Sequence, residues 1–120
     1  MASLAGRWVG AAGLAALCFG TAVHPAIAQS SDDCGREAAA IRKAETQLPR
    51  LDVAPPDDKQ IVCITLETNI LFAQKLKAHL KQCPRSPYAK SAGDWSRLET
   101  SYTSRFRSRD CKPTIRGYRG

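Results

Sequence analysis

Five cysteines, two histidines and an uneven spread of charge are the features of this 120-residue chain that could do chemistry. Cys34, Cys63, Cys83 and Cys111 lie 29, 20 and 28 residues apart. A structural zinc site gathers its ligands in short C-x₂-C runs, so these spacings do not fit one, and no metal ligand is assigned. An even number of widely spaced cysteines in a short chain points instead to two disulfides, which form in an oxidising compartment. The fifth, Cys18, falls in an apolar N-terminal run.

His24 belongs to the same run, which leaves His79 as the imidazole available to act as a general base. A single histidine between Ala78 and Leu80 reads as a packing or surface residue. The chain has no G-x-S-x-G, H-E-x-x-H, P-loop, C-x-x-C or C-x-x-C-H motif, so nucleophilic, metalloprotease, nucleotide, thiol-redox and covalent-haem chemistry have no motif support. Glu67, Asp94 and Glu99 could converge for carboxylate-pair hydrolysis, but any acidic surface offers such a triplet. No catalytic residue and no cofactor is expected.

The N-terminal run explains the cysteine usage. Met1 to Ala28 carries one basic residue, Arg7, then a Gly/Ala/Leu-rich stretch ending in Ala26-Ile27-Ala28, the pattern of a cleaved secretory signal peptide. Glycines break the stretch, and it is short for a membrane span of about 20 residues. Leu17 before Cys18 does not suit a lipoprotein site. Cleavage leaves Gln29 first, a domain over 29–111 and a basic tail over 112–120, in the periplasm or secreted.

After that removal, 17 basic and 11 acidic residues remain. Residues 29–67 hold 5 basic and 8 acidic side chains, whereas residues 68–120 hold 12 basic and 3 acidic. Arg105, Arg107, Arg109, Arg116 and Arg119, interleaved with Phe106 and Tyr118, form the densest stripe and are the candidate anion-binding residues. Guanidinium groups hold phosphate, sulfate or carboxylate by charge-assisted hydrogen bonds. The partners implied are an anionic envelope polymer, a lipid head group or an acidic protein; export and the shortness of Arg-Gly-Tyr-Arg-Gly disfavour nucleic acid. The competing expectation is intramolecular, with the acidic first part lying against the basic last part.

Three helices must position these groups. From Asp57 to Cys83, Val62, Leu66, Asn69, Ala73, Leu76, Leu80 and Cys83 repeat at helical spacing, with aspartates at the start and lysines near the end, as the helix dipole favours. The β-branched run Ile61–Leu66 could make a short strand by itself, but the Leu, Ala, Gln and Lys that follow favour helix. An earlier helix is predicted from about Ser31 to Leu48, with Ser30 or Ser31 as its cap and Cys34, Ala38, Ile41, Glu45 and Leu48 on its seam. Pro49 to Pro56 connects the two. Pro84 to Pro87 turns the chain into a third helix whose Trp95, Leu98, Tyr102 and Phe106 face inward, with Gly93 able to delay its start to Asp94.

This geometry selects the disulfides. Cys63 and Cys83 stand about 30 Å apart along one helix, beyond the roughly 7 Å between Cα atoms that a disulfide spans. If the second and third helices form a hairpin, Cys63 and Cys111, each 24 residues from Pro87, lie side by side. Cys34 is then left for Cys83. The expectation is an all-α, three-helix domain with two disulfides, acting as a noncatalytic exported binding protein. A periplasmic stress chaperone or structural protein, or a secreted inhibitor or immunity-type protein, is the alternative.

Overall fold

The computed structural model describes residues 30–115. The signal-peptide segment 1–28, Arg116 and Arg119 lie outside the described residues. Among the described residues three α-helices occur in chain order: α1 (Ser31–Thr46), α2 (Lys59–Gln82) and α3 (Ala92–Ser108). Short 3-10 turns occupy Leu51–Val53 and Pro87–Ser91. Among the described residues there is no strand, so Ile61–Leu66 is helical.

α1 and α2 start where a side chain satisfies a free amide, whereas Ser91 at the head of α3 makes no such bond. Ser30 accepts from the Asp33 N–H at the head of α1, and Asp58 accepts from the Ile61 N–H at the head of α2. Asp57 therefore stands outside α2 and does not share its first turn. Ser86 caps the second 3-10 turn with Pro87 at its first position, and the α-helix proper begins only at Ala92. Ser86 and Pro87 are thus separated from the α-helix by one 3-10 turn, which places Gly93 inside the first turn of α3.

The end of α3 is a Schellman motif. The Asp110 N–H donates to the Arg107 carbonyl and the Cys111 N–H to the Phe106 carbonyl, both at 3.0 Å. Asp110 adopts the left-handed conformation this requires, with φ 53°. Asp tolerates that region better than most residues, so the helix stops without the glycine that usually marks such an end.

α2 is the centre of the molecule, and it is buried on more than the expected seam. Its first half packs Val62, Leu66 and Ile70 with Phe106 and Cys111, and Leu51, Ala54 and Tyr102 lie against them. Its second half packs Phe72 and Leu76 with Ile41, flanked by Ala44, Leu48, Tyr88 and Trp95. The Phe72 and Trp95 rings sit 4.7 Å apart at centroid, tilted by 53°. Of the inward stripe on α3, Phe106 is buried while Trp95, Leu98 and Tyr102 are half-buried. The seam's polar residue is also explained: the Asn69 amide donates to the carbonyls of Pro49 and Thr65, both at 2.9 Å, and so fastens the connector to the helix.

Both disulfides form as the helix geometry requires. Cys34–Cys83 has a Cα separation of 5.8 Å and Cys63–Cys111 one of 5.5 Å. The first ties the head of α1 to the end of α2, and the second ties the head of α2 to the residue that closes α3. No helix among the described residues is long and apolar enough to cross a membrane.

Candidate functional site

The arginine stripe divides according to helical angle. Residues four apart share a face of a helix and residues two apart do not. Arg105 and Arg109 accordingly rim one recess of about 210 Å³, whose floor is Leu51, Ala54, Val62 and Leu66. Arg107 lies in a different hollow, beside Lys77, Ser96 and Thr103. The Arg105 guanidinium stands 5.9 Å from the centroid of the Tyr102 ring, and Arg109 donates to the Pro56 carbonyl at 3.4 Å. Arg105, Arg107 and Arg109 are all exposed, and none has a carboxylate partner among the described residues.

The Lys and Arg ion pairs form within each charge region, while across the two regions Glu37 contacts His79 and Lys59 acts on Asp110. Asp33 pairs with Arg36, and Asp52 with Arg50, within the acidic part. Glu99 pairs with Lys77, Asp94 with Arg97 and Asp110 with Lys112, within the basic part. The Arg36 guanidinium and the Ser30 hydroxyl hold the Asp33 carboxyl below the ordinary carboxylate range, the hydroxyl contributing most. The Lys112 ammonium does the same for Asp110. All three acids of residues 68–120 are thus matched, and Lys75, Lys81, Arg85, Lys90, Arg105, Arg107 and Arg109 stand without an ion-pair partner among the described residues.

A second constellation has no counterpart in the sequence motifs. His79 is buried to 1% exposure, with Nδ1 2.7 Å from Glu37 Oε1 and Nε2 2.7 Å from Ser86 Oγ. A carboxylate only accepts, so Nδ1 donates to Glu37; in the neutral ring Nε2 then accepts from the Ser86 hydroxyl. Ser86 also accepts from the Tyr88 N–H at 3.3 Å, which fixes its rotamer. The serine lines a pocket of about 460 Å³ between α1 and the turn after α2.

The sequence signal for this line was the disulfide itself. Glu37 lies one turn after Cys34 and His79 one turn before Cys83, so antiparallel helices joined at 34 and 83 bring 37 to 79.

A third contact closes the chain end. Glu67, at 0% exposure, accepts from the Thr114 N–H at 2.8 Å, the Thr114 hydroxyl at 2.8 Å and the Ile115 N–H at 2.7 Å. The three carboxylates considered for hydrolysis are therefore in separate surroundings: Glu67 binds this segment, Glu99 binds Lys77 and Asp94 binds Arg97. The segment expected as the start of a tail is docked at Thr114 and Ile115. In comparison with known proteins, no family model, no curated protein and no solved structure matches this chain.

Proposed function

We propose that this chain is a small exported binding protein, acting in the periplasm or outside the cell, whose basic C-terminal half engages an anionic partner. The observation that carries the reading is that Lys75, Lys81, Arg85, Lys90, Arg105, Arg107 and Arg109 are exposed and have no ion-pair partner among the described residues. Two guanidinium groups above an apolar floor suit an acidic group attached to an apolar one. A lipid head group with its acyl chain or an acidic protein surface offers both, and a purely polar polymer uses only the rim. Chaperone action through exposed apolar surface has less to draw on, since among the described residues the exposed large apolar side chains are Val53, Ile61 and Ile64.

The test compares the protein with its Arg105→Ser/Arg107→Ser/Arg109→Ser variant on phosphatidylglycerol vesicles and on heparin resin. The variant is expected to stay folded and to release at lower salt, because exposed charge contacts are screened within about 10 Å at 0.1 M ionic strength. Unchanged release from both supports removes the proposal.

A further inference from the structure

We infer that Ser86 is the nucleophile of an acyl-transfer site, with His79 as its general base and Glu37 as the residue that orients the imidazole. The three side chains stand in the order acyl hydrolysis needs: hydroxyl, imidazole Nε2, imidazole Nδ1, carboxylate, with both links at 2.7 Å. The His79 side chain is buried, at 0% exposure, and its Nε2 meets the pocket through Ser86, while the Glu37 carboxylate is 35% exposed, so solvent screens part of its charge. Ser86 lies where interior meets pocket. Its oxygen has two lone pairs, of which one takes the Tyr88 N–H and the other remains for attack.

The pocket defines the substrate class. Gly35, Ala38, Pro84, Pro87 and the Cys34–Cys83 disulfide give it apolar walls, and its volume of about 460 Å³ admits a short acyl chain. Arg42 and Arg85 both line the pocket; Arg42 acts on the Tyr88 phenol, and Arg85, with no ion-pair partner among the described residues, is a cation available to a developing oxyanion. The substrate is a small carboxylic ester.

In the first step the Ser86 proton passes to His79 Nε2 as Oγ bonds to the carbonyl carbon. The ester C–O bond then breaks, and the proton moves from His79 to the departing oxygen, releasing the alcohol. Water, deprotonated by His79, attacks the Ser86 acyl ester; the Oγ–carbonyl bond breaks, the proton returns to Oγ, and the carboxylic acid leaves. The net reaction is ester plus water to acid plus alcohol. None of the arginines of the proposed anion-binding face takes part, so either reading stands without the other.

The experiment treats the oxidised protein with a fluorophosphonate probe, locates the adduct by peptide mapping, and follows p-nitrophenyl acetate and butyrate hydrolysis. The expected result is one adduct at Ser86, hydrolysis abolished in Ser86→Ala, and both reactions slowed about 10²-fold in Glu37→Gln. Circular dichroism and a thermal melt confirm that each variant is folded. Because Ser86 also caps a turn, labelling of the unaltered protein decides the matter even where Ser86→Ala fails to fold. Absence of a Ser86 adduct on the native protein, or hydrolysis undiminished in folded Ser86→Ala, overturns the assignment.

Discussion

Replacing Glu67 with alanine should release residues 112–115 from α2 and weaken the whole fold. The carboxylate is wholly buried and accepts three hydrogen bonds from Thr114 and Ile115, at 2.7 to 2.8 Å. A hydrogen bond to a charged group contributes about 1.5–3 kcal/mol net, so three would sum to several kcal/mol if they were independent. Desolvating the carboxylate offsets part of that sum. The donors left behind in Glu67→Ala are near the described end of the chain and can turn to water, so they add no buried unpaired amide. A net loss of about 2–3 kcal/mol remains, and for a domain of this size each kcal/mol lowers Tm by about 4–8 °C. Calorimetry should therefore show a fall of about 10–20 °C. Hydrogen exchange should show the Thr114 and Ile115 amides losing protection. Thr114→Ala added to Glu67→Ala should then cost nothing further, since the partner is already gone. A melt within 2 °C of the parent, or protection persisting at Thr114 and Ile115, would refute the reasoning.

The two disulfides close loops of 49 and 48 residues, for which the chain-entropy account gives about 4 kcal/mol each. Removing either as a Cys→Ala pair should lower Tm steeply, and removing both should abolish the cooperative melt at 37 °C; a quadruple variant that still melts cooperatively above that temperature would contradict this. Burial, and after it the hydrogen bond and charge of Glu45, raise the Tyr88 phenol above its ordinary range, with Arg42 opposing in part. A raised phenol means that the unfolded chain loses its proton first. Stability from this group is therefore present below pH 10 and lost as pH rises toward the folded value. Tyrosinate absorbance should show a late component that Tyr88→Phe removes.

The helices were legible because their apolar residues repeat at helical spacing and their ends carry local signals. Ser30 and Asp58 cap, Pro84 and Pro87 turn, and all four act within a few residues. The start of α3 was less legible, because a 3-10 turn and an α-helix have the same opening chemistry and differ only in which carbonyl each amide reaches. Nothing in composition marks Asp110 as the left-handed residue that ends α3.

Charge asymmetry and disulfide pairing were properties of the sequence by itself. The first is a count; the second follows because a helix is rigid, so that 20 residues along it exclude one pairing and equal distances from a turn select another. Only the tertiary structure decided which polar groups became interior. Glu67 and His79 lie on a helix whose expected seam covers one side, yet both are buried because neighbours clad other sides as well. Each contact sits one turn from a disulfide: Glu37 and His79 beside Cys34–Cys83, Glu67 and Thr114 beside Cys63–Cys111. The sequence names the covalent anchor, but whether two side chains one turn away meet depends on the rotation of each helix about its own axis. That rotation is set by the packing of Ile41, Phe72, Leu76, Leu66 and Phe106, which bring together residues far apart in the chain.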